Sequence, residues 1–91
     1  MIEFEWDGRK AVANAKKHGV TFHEAASVFD DKLAVTFSDP DHSADEDRSI
    51  TFGLSQARRL LVVSHTDRRD RVRVISSRLM TKQERKIYEE G

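Results

Sequence analysis

Leu60-Leu61-Val62-Val63-Ser64-His65-Thr66 and Arg71-Val72-Arg73-Val74-Ile75-Ser76-Ser77-Arg78, joined by Asp67-Arg68-Arg69-Asp70, are the stretch that decides the fold. Both runs are rich in β-branched residues and the four residues between them are all charged, so two antiparallel strands meet at a polar turn. Upstream, Ile50, Phe52 and Leu54 alternate with Ser49, Thr51 and Gly53, the two-residue period of a third strand. Consecutive strands with short connections make an antiparallel meander. Leu33, Val35 and Phe37 alternate with Ala34 and Thr36 as a fourth, half-buried strand. Ser38 to Asp45 gathers turn formers and acids and reads as a solvated loop.

Helices flank this sheet. Asp7 precedes Gly8 to His18 as an N-cap, and Gly19 supplies the left-handed residue that ends the stretch. Thr21-Phe22-His23-Glu24 has the spacing of a capping box, after which Phe22, Ala25, Ala26 and Phe29 recur at helical period to about Asp30. Thr81-Lys82-Gln83-Glu84 repeats that spacing and opens a closing helix through Tyr88. The expected fold is α+β: an antiparallel four-stranded sheet with two N-terminal helices and one C-terminal helix, residues 2–6 offering a further short strand.

The 91 residues support a single domain, residues 1–91, because half of that length buries too little surface to fold alone. With 37% hydrophobic and 35% charged residues and one proline, the chain fits a small core beneath a charged surface. The longest unbroken apolar run at its centre, Leu60 to Val63, is too short to span a bilayer. Met1-Ile2-Glu3-Phe4-Glu5 lacks the features of a signal peptide, so a cytoplasmic location without membrane attachment is expected. The absence of cysteine excludes disulfides and thiolate chemistry.

Charge is unevenly distributed. Residues 1–47 carry five Lys/Arg against eleven Asp/Glu, a net of −6, and residues 48–91 carry eleven against five, a net of +6. Arginine dominates the basic half, and its planar fork grips phosphate or carboxylate through paired hydrogen bonds.

Phe4-Glu5-Trp6-Asp7, the run Asn14 to Phe22, Glu24-Ala25-Ala26 and Val28-Phe29-Asp30-Asp31 resemble the first half of a BrnT toxin. His42-Ser43, Glu46-Asp47-Arg48, Gly53-Leu54-Ser55, Ser64-His65-Thr66, Arg73-Val74-Ile75-Ser76 with Arg78, and Thr81 to Tyr88 with Glu84-Arg85 are similar to its second half. The resemblance covers essentially the whole chain; Ser77 and Met80 depart from the usual alanines. It implies a RelE- and ParE-like fold and RNA cleavage that halts translation. The implied partner is a BrnA-like ribbon-helix-helix antitoxin in a heterotetramer, with operator DNA reached only through that antitoxin. Two other functions stay open on sequence: a non-catalytic antitoxin-binding corepressor, and a ParE-like topoisomerase inhibitor.

A ribonuclease working without a metal or other cofactor needs a base for the 2′-hydroxyl, cations for the five-coordinate phosphate and an acid for the leaving oxygen. Arg73 and Arg78 interrupt an apolar strand at a desolvation cost that phosphate binding would explain. Glu46 and Arg48, two apart, would share one strand face as an acid and cation pair. His65 is the histidine nearest the arginine-rich hairpin and the candidate proton carrier. If Thr66 pairs with Arg71, however, His65 lies opposite Val72 and on the other face from Arg73. Arg68, Arg69 and Arg71 at the turn, and Lys17 at the end of the first helix, are candidate RNA contacts. Helix-dipole and solubility roles compete with that reading at the same residues. No histidine shares metal-ligand spacing with another.

Overall fold

The computed structural model describes residues 2–39 and 47–91. The elements run β1 (Glu3–Glu5), α1 (Gly8–His18), α2 (Phe22–Ser27), a 3₁₀ turn (Val28–Asp30), β2 (Val35–Ser38), β3 (Arg48–Leu54), β4 (Leu60–Arg68), β5 (Arg71–Leu79) and α3 (Lys82–Glu90). The N- and C-caps fall where the sequence indicates, except that at Thr21 only half of the expected capping box forms: its hydroxyl accepts from the Glu24 amide while the Glu24 carboxylate turns to Ser55 and Arg59. Asp7 accepts from the amides of Arg9 and Lys10, Gly19 takes φ +68°, and Thr81 with Glu84 completes a reciprocal capping box.

The sheet has five strands in the order β1-β5-β4-β3-β2 and is mixed, not four-stranded and antiparallel. β2 to β5 pair antiparallel, whereas β1 adds to β5 in parallel with Glu3, Phe4 and Glu5 opposite Arg71, Val72 and Arg73. The short strand expected within residues 2–6 forms as Glu3–Glu5, but its partner lies at the other end of the chain, so no local periodicity announces the parallel pairing. Leu33, expected in the fourth strand, lies outside β2 and is exposed.

One face of the sheet is roofed by the helical layer. Val20, Phe22, Ala25 and Val28 from the helical layer pack on Leu61, Val63 and Val74, joined at the margin by Phe4, Trp6, Ala11 and Phe29. Gly53 lets that roof settle: a Cβ there would stand 2.5 Å from Val28 Cγ1, closer than packed atoms approach. The opposite face is half covered. α3 folds back so that Met80 and Tyr88 pack with Phe52, Val62, Ile50 and Leu60. Asp31 ties the two layers together, accepting from the Leu54 amide at 2.8 Å and the Tyr88 hydroxyl at 2.7 Å. No helix among the described residues is long and apolar enough to cross a membrane.

β1 is too short to pair the full length of β5, and Asn14 of α1 takes over where it ends. Buried Asn14 accepts from the Ser77 amide at 3.1 Å and donates to the Ser77 carbonyl at 2.8 Å and the Val20 carbonyl at 2.9 Å. Its amide stands in for a missing strand residue. Replacing Asn14 with alanine orphans these buried backbone groups, which should lower unfolding stability by about 2–4 kcal/mol. Urea denaturation checks this; a loss below the scatter of surface substitutions would contradict it.

Candidate functional site

Arg73 and Arg78 are five residues apart, so in a regular strand they would point to opposite faces. β5 is not regular. His65 pairs with Val74 and Ser64 with Ser76, which leaves Ile75 as an extra residue on β5 at a β-bulge. The bulge reverses the parity of everything after it. Val74 and Ser77 therefore both face the helical roof, while Arg73 and Arg78 both face the side that α3 only half covers.

On that open side the ladder sets residues in rows. Arg48, Thr66, Arg73 and Glu5 lie side by side across β3, β4, β5 and β1. Ile50, Ser64 and Ser76 form the next row, and Phe52, Val62 and Arg78 the row beyond. At the usual strand spacing, Arg48 and Arg73 stand about 10 Å apart at their Cα atoms with Thr66 between them, and Arg78 lies about 13 Å further along. The Thr66 hydroxyl oxygen is buried and has no hydrogen-bond partner among the described residues.

Each β5 arginine of this face is held by an acid. Arg73 donates to Glu5 at 3.0 Å, with Arg71 reaching the other oxygen at 3.4 Å, and these bonds hold the Glu5 carboxyl below its ordinary range. Arg78 donates to both oxygens of Glu84, at 2.7 and 2.9 Å. That paired bond, more than the Thr81 amide it also accepts from, pulls the Glu84 carboxyl from 4.5 down to about 2. The guanidinium planes are thus fixed before any ligand arrives.

Of the remaining candidates, Arg68 and Arg71 pair at the hairpin end of this same face, and the others fall elsewhere. His65 is 1% exposed beneath the helical layer, its ring edge-on to Phe29 at 4.9 Å. Its Nε2 lies 2.7 Å from the Thr51 hydroxyl and its Nδ1 2.8 Å from Asp67, and Thr51 in turn meets Thr36 at 2.8 Å. A ring protonated on Nδ1 satisfies the chain, with Thr36 donating to Thr51, Thr51 to Nε2 and Nδ1 to Asp67. The separation of His65 from Arg73 onto opposite faces is as expected, but the register differs: Thr66 faces Arg73, because β4 continues to Arg68 and the turn is correspondingly tighter. Arg68 and Arg69 lie exposed at that hairpin, Arg69 with φ +56°. Arg71 is engaged by Glu3 and Glu5. Lys17 lies at the β5 edge, where with Lys10 it lines a groove beside Ile75 and Ser76. Glu46 lies outside the described residues.

Sequence reasoning missed Thr66, Glu5 and the second task of Glu84. The capping spacing finds Glu84 as a cap, but its reach to β5 depends on how α3 folds back, which no local pattern encodes. The pairing has a measurable pH signature. Glu84 is more acidic folded than unfolded, so its stabilisation is complete above pH 4.5 and is lost as pH falls through about 2. The stability gap between the parental chain and Glu84→Gln should therefore be widest above about pH 5 and close toward pH 2. A gap that is constant across that range would contradict the pairing.

Arg48, Arg73 and Arg78, with Arg68 and Arg71 toward the hairpin end, thus share the half-open face of a sheet roofed by two N-terminal helices. No curated protein matches the chain. Among solved structures, the crystal structure of the Brucella abortus ribonuclease toxin BrnT superposes with a TM-score of 0.70 over 90% of this chain and 100% of that one. At 21% identity that likeness concerns the fold. The family model described as the ribonuclease toxin BrnT of type II toxin–antitoxin systems matches residues 6–84, from Trp6 at the margin of the core to the Glu84 that holds Arg78. With fold and sequence in agreement over most of its length, the chain belongs to the BrnT family of ribonuclease toxins of type II toxin–antitoxin systems.

Proposed function

We propose that this toxin cleaves RNA without a metal ion and that the open sheet face is where it does so. The observation that carries the reading is the row Arg48-Thr66-Arg73, two cations flanking a buried hydroxyl that has no partner among the described residues. The ribose 2′-oxygen gives its proton to a carboxylate and attacks the adjacent phosphorus, negative charge gathers on the phosphate oxygens, and the P–O5′ bond breaks, the 5′-oxygen leaving with a proton from solvent and a 2′,3′-cyclic phosphate remaining. The guanidiniums of Arg48 and Arg73 lower the energy of that charge, and Arg78 serves the neighbouring part of the backbone. Because Glu5 and Glu84 already orient Arg73 and Arg78, a phosphate meets donors whose geometry is largely set.

Glu46, two residues before Arg48 in the sequence, is the carboxylate proposed here as proton acceptor. His65 acts at a distance, holding Thr51 and Asp67 and with them the β3–β4 register that aligns Arg48 with Thr66. Arg68, Arg69 and, from the edge, Lys17 draw the polyanion toward the face.

The antitoxin partner that defines a type II system is proposed here to be BrnA-like, with a ribbon-helix-helix domain that alone contacts operator DNA in a heterotetramer. It masks the arginine face with carboxylates while both proteins reside in the cytoplasm. The family match favours the ribonuclease over a corepressor module or a topoisomerase inhibitor.

Single-turnover cleavage of RNA at saturating enzyme tests this. The parental chain should cleave in the presence of a chelator, and folded Arg73→Ala should cleave about 100- to 1000-fold more slowly, with partial recovery in Arg73→Lys. Arg68→Ala with Arg69→Ala should instead weaken binding and flatten its salt dependence while the saturated rate holds. A folded Arg73→Ala that cleaves at the parental rate would remove the arginine row from the chemistry, and cleavage abolished by the chelator would overturn metal independence.

A further inference from the structure

Among the described residues, the exposed large apolar side chains are Ile2, Val12, Leu33, Phe37, Leu79 and Ile87, and Phe37 is the one aromatic ring in that set. It lies on β2, the outer strand of the sheet, opposite Ile50 of β3, and so on the same open face as Arg48, Thr66 and Arg73. The ring is not loose. It meets buried Phe52 edge-on, centroids 5.4 Å apart at 64°, while the residue stays 42% exposed. One side of the ring is anchored and the rest is offered to solvent.

Its position relative to the arginine row gives that exposure a use. Arg48 precedes Ile50 by two residues on β3, so Phe37 and Arg48 are diagonal neighbours on one face, about 7–8 Å apart. Beyond Arg48 the row continues to Thr66 and Arg73. An exposed aromatic ring beside a track of cations is the pairing by which proteins hold single-stranded nucleic acid: the phosphate meets the cation and an unpaired base stacks on the ring. In a duplex that base is already stacked between its neighbours and is not available to the ring.

Resting on the reading of the open face as the RNA site, we propose that Phe37 is the stacking platform for one unpaired nucleobase of the substrate. The ring holds that base beside the phosphate that Arg48 and Arg73 grip. Phe37 is then a specificity-determining residue: it selects single-stranded over double-stranded RNA and tolerates any base, since every base has a π-face.

The test uses short single-stranded oligoribonucleotides, methylated at the 2′-oxygens so that they are not cut, with 2-aminopurine placed at each position in turn. At one position, emission should be quenched on binding the parental chain, and annealing a complementary strand should abolish that quench. Phe37→Leu keeps an apolar contact to Phe52 but removes the π-face. It should lose the quench and weaken binding by about 5- to 150-fold, the span of one lost base–aromatic stack. Phe37→Trp should retain both. An oligonucleotide lacking the base at that position should bind the parental and Phe37→Leu chains alike. If Phe37→Leu quenches and binds as the parent does while Arg73→Ala slows single-turnover cleavage of unmethylated RNA, the stacking platform is overturned and the RNA face stands. If Phe37→Leu binds as the parent does and Arg73→Ala also cleaves at the parental rate, both fall together.

Discussion

A single extra residue in β5 decides what the toxin can do with its arginines. Without the bulge at Ile75, Arg73 and Arg78 would project from opposite faces, one of them into the helical roof, where an unpaired guanidinium is strongly unfavourable. With it, the strand keeps apolar Val74 and small Ser77 on the buried side and presents both cations on the open side. Bulges re-aim side chains at this modest expense of one ladder pair, and they recur beside functional sites for that reason. Asn14 secures the segment just past it by occupying the backbone of Ser77, so the edge of β5 beyond β1 is closed by a side chain where a strand runs out.

The same division into faces explains the charge pattern. Beneath the roof lie a line of hydroxyls and one imidazole, Thr36, Thr51 and His65, which satisfy one another and end on Asp67, and Ser77, whose buried Oγ has no hydrogen-bond partner among the described residues. The open face carries the arginines together with acids from both ends of the chain, Glu5 from β1 and Glu84 from α3. The net −6 and +6 of the two halves thus meet in part across this sheet: Glu3 and Glu5 on Arg71 and Arg73, and Glu24 on Arg59. What distinguishes the open face from an ordinary salt-bridged surface is geometric. Its cations align in a strand row around a buried hydroxyl, and an anchored aromatic stands diagonal to them.

Much of this was legible in the chain itself. The caps at Asp7, Thr21 and Thr81, the β3–β4–β5 meander and the burial of Phe22 follow from short-range patterns whose physics is local. The short strand at residues 2–6 was legible too, but its parallel pairing with β5 was not, because the partner of Glu3-Phe4-Glu5 lies at the other end of the chain. Arg73 and Arg78 could be picked out as costly residues in an apolar strand, but that they share a face depends on a bulge, and the run Val74 to Ser77 carries no glycine to mark one. Thr66 was invisible for the opposite reason. A threonine in a strand is unremarkable until its neighbours across the sheet are known to be Arg48 and Arg73.

The central claim is that Arg48 and Arg73, brought to either side of Thr66 by the sheet register, act on one phosphate. A double-mutant cycle on the single-turnover cleavage rate addresses it directly, using Arg48→Ala, Arg73→Ala and the double variant, each verified as folded. Two cations stabilising the same developing charge should be strongly non-additive, the second removal costing far less than the first. Independent effects that multiply in the double variant would contradict the account, since they would place the two arginines at separate sites.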